Sequence, residues 1–127
     1  MTYRVLIADD SVDSRSALAA LLEASDCRVE FAEDGPSALR RLLDEVWDLS
    51  LLDMHMPALT GVEVLAQVHA VGVRVPSILM TGHPSHAIEA AALEVGALTL
   101  LRKPIPAEIL RITVRQILTD FDGPQRA

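Results

Sequence analysis

The chain has 127 residues, half of them hydrophobic, and a net charge of −7. That length suits one domain with a real core, the charge argues against a broad grip on nucleic acid, and no apolar run approaches the roughly 20 residues needed to span a bilayer. A single cysteine, Cys27, excludes an internal disulfide and fits a reducing cytoplasm, and no signal peptide is expected because Tyr3-Arg4-Val5-Leu6-Ile7 enters a strand at once.

The first apolar run, Val5-Leu6-Ile7-Ala8, predicts a buried strand over 4–9 that leads to Asp9 and Asp10. A helix over 12–25 follows, with Val12, Leu18, Leu21 and Leu22 at helical spacing. Cys27 is expected in the turn before a second strand over 28–32, with no base nearby to make its thiol reactive. Gly35-Pro36 opens a second helix over 35–46, with Ala38, Leu39, Leu42 and Leu43 on one face. Trp47 is expected where that helix meets the third strand, over 48–53, whose run Leu49-Ser50-Leu51-Leu52 ends on Asp53. Met54 and Met56 read as core or loop fillers. The third helix, 61–70, follows Gly61 and turns Val62, Leu65 and Val68 or His69 inward.

Ile78-Leu79-Met80 predicts a fourth strand over 76–81 ending on Thr81. The fourth helix, 85–95, carries Ile88, Ala91, Ala92 and Val95 and stops at Gly96. A fifth strand over 97–101 leads to Lys103, the only lysine in the chain. The last helix, 105–119, should face the sheet with Leu110, Val114, Ile117 and Leu118. Ile105, Ile109 and Ile112 make a second stripe about 140–150° away. That stripe is either an interaction face, for a dimer or a kinase helix, or packs beneath side chains of the fourth helix. The domain is expected over 1–121, with 122–127 as a frayed tail.

Strands alternating with helices define an α/β fold. Right-handed crossovers favour a doubly wound, five-stranded parallel sheet of flavodoxin-like order 2-1-3-4-5. In that order the ends of strands one and three lie side by side at the switch point, where ligands bind. Asp9, Asp10 and Asp53 should meet there, with Thr81 and Lys103 arriving from one side.

Each residue alone has an ordinary reading. A strand-end Asp often caps the next helix, a Thr is often structural and a Lys is often solvated. Five such residues at strand ends, with complementary chemistry, are hard to explain that way. Three close carboxylates call for a cation, and Mg2+ fits because it takes oxygen ligands and keeps waters or a phosphate oxygen; Mn2+ is the substitute. Asp53, single on its strand end, is the natural nucleophile toward phosphorus. The cation, Lys103 and the Thr81 hydroxyl can each hold one phosphoryl oxygen.

With Ile7-Ala8-Asp9-Asp10, Asp53-Met54-His55-Met56-Pro57 with Gly61, Met80-Thr81-Gly82 and Lys103-Pro104 in this order, residues 3–120 resemble a receiver domain of a two-component response regulator. The resemblance implies a three-layer αβα fold and Mg2+ held directly by Asp10, largely through water by Asp9, by Asp53, and by the backbone carbonyl of His55. It implies phosphate transfer to Asp53 from a sensor histidine kinase or a histidine phosphotransfer protein, Thr81 and Lys103 as phosphoryl-binding residues, and a cis bond before Pro104. It also implies a switch in which Thr81 moves toward the phosphoryl group and an aromatic residue on strand five turns inward. Leu100 stands at that aromatic position here, so signalling is expected to rest more on loop and helix-four displacement than on side-chain rotation. A homodimer or effector contact is expected through helix four, strand five and helix five; strand five lacks the acids that winged-helix regulators use in their dimers.

His55 and His83 occupy positions that tune acyl-phosphate hydrolysis in that family, and Gly82 leaves a phosphodonor room to approach. The two imidazoles either position or block water, or are solvated loop residues. A zinc site is set aside because the spacing is no ligand motif. The expected function is therefore a phosphorylation-driven switch or phosphorelay element, in the cytoplasm, that acts only on its own phosphorylation. A small phosphatase would want an acid where His55 stands and a cap for substrate. A flavin binder would want a Gly-rich loop in place of Ser11-Val12-Asp13-Ser14-Arg15. A degenerate receiver serving only as a binding module is the alternative, and the intact acids weigh against it. No DNA-binding segment follows the last helix in this sequence, which is either a stand-alone receiver or one cut from a larger protein; with a net charge of −7, direct nucleic-acid binding is not expected.

Overall fold

Apolar, largely β-branched or leucine runs form five strands because their side chains find cover on both faces. The computed structural model describes residues 2–120; residue 121 and the expected tail, 122–127, lie outside the described residues. The elements are β1 (Tyr3–Ala8), α1 (Val12–Glu23), β2 (Cys27–Ala32), α2 (Gly35–Asp44), β3 (Leu49–Asp53), α3 (Gly61–Ala70), β4 (Ser77–Thr81), α4 (His86–Glu94), β5 (Thr99–Arg102) and α5 (Ala107–Asp120). All strand pairs are parallel and the order is β2-β1-β3-β4-β5, the doubly wound arrangement expected.

Alternate strand residues feed two cores. Leu6, Ala8, Leu52 and Leu79 pack with α2, α3 and α4. Val5, Ile7, Leu51, Ile78 and Met80 pack with α1 and α5. Each fully buried leucine or isoleucine contributes roughly 1.5–3 kcal/mol. Helix starts follow capping chemistry: the side chains of Ser11, Asp34, Thr60 and Ser85 accept from backbone N–H groups in the first turn, and Thr60 with Glu63 forms a reciprocal capping box.

The structure departs from the expected local pattern at several positions. Val12 opens α1 but is 63% exposed, and Leu43 is 41% exposed, because each lies at a helix end turned past the sheet. In α3, Val64 joins Leu65 and Val68 in the core, while Val62 is only half-buried. Cys27 is the first residue of β2 rather than part of a turn; burial first, then the charges of Asp26 and Asp48, push its thiol up to about 11. The last helix begins at Ala107, after Pro106, so Ile105 precedes it and packs with the α1–α5 core. Ile109 and Ile112, by contrast, are exposed rather than covered by α4. Trp47 lies buried between α2 and β3, as expected, with Nε1 donating to the Arg41 carbonyl (2.9 Å).

Candidate functional site

Register explains why distant acids meet. Ala8 pairs with Leu52, so one more step sets Asp9 opposite Asp53. Thr81 pairs with Arg102, and the Lys103 N–H donates to the Thr81 carbonyl at 2.8 Å. Strand alternation then sorts the side chains. Asp9, Asp53 and Lys103 each come two residues after a member of the α1–α5 core, namely Ile7, Leu51 and Leu101. Thr81 comes two after Leu79, in the opposite core. The ionic group and the hydroxyl therefore reach the crevice from different sides of the sheet.

Asp9 is fully buried and held on every side. The Ser11 N–H donates to Oδ1 (2.9 Å), while Ser14 Oγ (2.6 Å) and Lys103 Nζ (2.8 Å) donate to Oδ2. The Arg15 guanidinium donates to the Asp9 backbone carbonyl (2.7 Å). Burial alone would push this carboxyl up, but the hydrogen bonds from Lys103, Ser14 and Ser11 overcome it and hold it below the ordinary value. Ser14 and Arg15 were not singled out as site residues by sequence. Their signal is positional: both lie in the first turn of the helix that follows the acid pair.

Asp53, also buried, accepts from the His55 N–H on Oδ1 (3.0 Å) and from Lys103 Nζ on Oδ2 (3.0 Å). Here burial prevails and raises the carboxyl above its ordinary value, although His55 and Lys103 pull it down. For Lys103, desolvation favours the neutral amine, but the hydrogen bonds to Asp9 and Asp53 hold the ammonium pKa above its usual range. One cation thus bridges two acids from elements far apart in sequence.

Asp9, Asp10 and Asp53 each offer an oxygen within 4.8 Å of the others. An all-oxygen, acidic set fits a hard divalent cation such as Mg2+ or Mn2+ better than a thiophilic metal. Asp10, on the exposed rim, is the acid most open to such an ion, since the Asp9 oxygens already serve three donors.

Thr81 is fully buried, and its Oγ1 accepts from the His83 N–H (3.0 Å) and lies 3.3 Å from Nε2 of His55. The side chains of His55 and His83 themselves stand exposed at the mouth. A Cβ on Gly82 would meet open space, so that flank of the crevice is unobstructed. Leu100 pairs with Leu79 and is half-buried against the α3–α4 side of the core. The Lys103–Pro104 peptide bond is cis.

Comparison with known proteins agrees with this geometry. A family model described as the response regulator receiver domain matches residues 5–115. The chain is 32% identical over 114 residues to the transcriptional regulatory protein ZraR of Klebsiella oxytoca, covering 90% of this chain and 26% of that protein. It is 34% identical over 118 residues to the response regulator MprA of Mycobacterium ulcerans, covering 93% of this chain and 51% of that protein. The chain thus spans between about a quarter and a half of the length of these curated relatives. Among solved structures, a CheY-like response regulator receiver domain protein from Methanospirillum hungatei superposes with a TM-score of 0.88 at 26% identity, covering 94% of this chain and 96% of the other. The chemotaxis protein CheY4 of Vibrio cholerae gives 0.84 at 28% identity, covering 92% and 99%. Sheet order, gathered acids and the match along nearly the whole fold lead to one assignment: the chain belongs to the response regulator receiver domain family.

Proposed function

We propose that this chain works in two-component signalling as a phosphoacceptor, taking a phosphoryl group on Asp53 from a sensor histidine kinase or a histidine phosphotransfer protein. The observation that carries the reading is the Lys103 ammonium spanning Asp9 (2.8 Å) and Asp53 (3.0 Å) beside three gathered carboxylates. An Asp53 oxygen attacks phosphorus; the new O–P bond forms as the donor's N–P bond breaks, giving an acyl phosphate. The buried carboxylate is oriented for this by the His55 N–H and Lys103. Lys103 then follows one phosphoryl oxygen and the Thr81 hydroxyl donates to another.

Asp10, Asp53, the His55 carbonyl and, through water, Asp9 would hold Mg2+ or Mn2+. Such an ion, when bound, supplies positive charge that relieves repulsion among the acids and offsets the charge of the phosphoryl group. Gly82 leaves the donor room to approach. The chain acts on its own phosphorylation and hydrolysis rather than on a separate substrate, and the cytoplasm is its proposed compartment.

The signal passes from Thr81 toward α4. Among the described residues α4 buries only Ala92, fewer than any other helix, so it is the helix most readily displaced. Leu100, lacking a hydroxyl, repacks rather than switching between burial and water. The face built by α4, β5 and α5 is the proposed homodimer or effector surface, and α5 carries the exposed apolar side chains of Ile109 (47%) and Ile112 (57%). Incubation with Mg2+ and acetyl phosphate, read by intact mass, tests the phosphoacceptor reading: the wild type should gain one phosphoryl group and Asp53→Asn none. Crystals with and without beryllofluoride test the switch, and an unmoved α4 with a flipped Leu100 would refute it.

A further inference from the structure

A fully buried hydroxyl needs partners for both its oxygen and its proton. At Thr81 the His83 N–H donates to Oγ1, so it cannot take the hydroxyl proton. The hydroxyl's other partner is a side-chain atom, Nε2 of His55, 3.3 Å away, which accepts that proton when the imidazole carries its own on Nδ1. The backbone that delivers the ring has little freedom. Met54 and Met56, on either side of His55, are both buried in the α2–α3–α4 core. The Met54 N–H donates to the Met80 carbonyl (2.8 Å), and the His55 N–H donates to Asp53 Oδ1 (3.0 Å).

We infer that His55 is a positioning residue whose ring holds the Thr81 hydroxyl in its resting orientation, tying the loop after Asp53 to the end of β4. This rests on Asp53 being the phosphoacceptor. The hydroxyl has one proton to give. Given to His55, it is withheld from a phosphoryl oxygen; given to the phosphoryl group, it breaks the link between the two loops. The ring therefore competes with the phosphoryl group for Thr81, which is distinct from acting on an attacking water or on access to Asp53.

The test is a double-mutant cycle on beryllofluoride affinity in the presence of Mg2+. His55→Ala should raise affinity about three- to tenfold, the worth of one hydrogen bond. In a Thr81→Val background the same change should alter it by less than about twofold. An equal gain in both backgrounds overturns the inference, because the ring then acts without the hydroxyl. His55→Gln, whose side-chain carbonyl can accept the same proton, should return toward the wild type; a Gln variant that behaves like Ala also counts against it. Nitrogen NMR of the imidazole reads the link with no phosphate chemistry: Nε2 should be unprotonated and its resonance should move in Thr81→Val. A protonated Nε2, indifferent to that substitution, sinks the inference by itself. Failure of the Asp53 reading looks different: Asp53→Asn would still take phosphate, while the imidazole spectrum kept its response to Thr81→Val.

Discussion

The α-carbon of Gly61 sits so close to Asp53 that a Cβ there would stand 2.6 Å from the Asp53 carbonyl oxygen. The first residue of α3 therefore seals the end of β3, against backbone that cannot swing aside. Gly61→Ala should cost about 1–3 kcal/mol and slow phosphorylation, because the chain carrying the carboxylate must shift. Urea unfolding and acetyl phosphate kinetics would measure both. Gly82→Ala is the control: its Cβ meets open space, so stability should stay within about 0.5 kcal/mol.

Lys103 and Asp53 link stability to pH in the same sense but in different windows, since both pKa values are raised. Burial raises the Asp53 carboxyl, so folding favours its protonated form. The associated stability is present below the unfolded value and is lost as pH rises through the folded one. Asp53→Asn should therefore raise the Tm at neutral pH, with the gain fading as pH falls through the carboxylate range. The Lys103 ammonium is held above its ordinary range, so its contribution persists at neutral pH and is lost only in strong alkali. Lys103→Ala should cost about 1–3 kcal/mol at neutral pH, and less in an Asp53→Asn background. Equal costs in the two backgrounds would show that the Lys103–Asp53 contact contributes nothing.

Magnesium should raise the Tm of the wild type, and a chelator should reverse the gain. Asp10→Asn should weaken Mg2+ binding by about tenfold or more, since this exposed rim acid is committed to no donor among the described residues. Calorimetry showing unchanged affinity would move the ion away from Asp10.

A second charged cluster offers an acid-range test away from the crevice. Glu30 on β2 is flanked by Arg4 and Arg41, whose guanidinium groups lie 4.1 and 5.1 Å from the Trp47 ring centre. The hydrogen bond from Arg4, against the opposing effect of burial and helped by Arg41, lowers the Glu30 carboxyl from 4.5 to about 2. Its stabilisation is complete above the unfolded value and is lost as pH falls from about 4.5 toward 2. Because all three side chains still touch water, Glu30→Gln should cost only about 1 kcal/mol at pH 7. Its stability should then change less across that acid window, and phosphorylation should be unaltered.

The five strands and five helices were legible because each is written in local periodicity and bounded by caps, glycines and prolines. The strand-end residues Asp9, Asp53, Thr81 and Lys103 were legible for the same reason: each ends an apolar run. Val12 and Leu43 misled because periodicity extends to helix ends, where a residue can hold its place on the wheel and still lie beyond the sheet. Cys27 misled because a strand's first residue lacks the alternation that marks its interior.

Residue order alone determined the α/β class, the right-handed crossovers and which chemical groups arrive at one end of the sheet. Only the tertiary structure decided how those groups share protons and charge: Lys103 on Asp9 across 94 positions of chain, Ser14 on Asp9, His55 on Thr81. Hydrogen bonds depend on tenths of an ångström and on direction. Those are set by register between strands and by which loop is anchored to which core, and neither is a property of any local stretch of sequence.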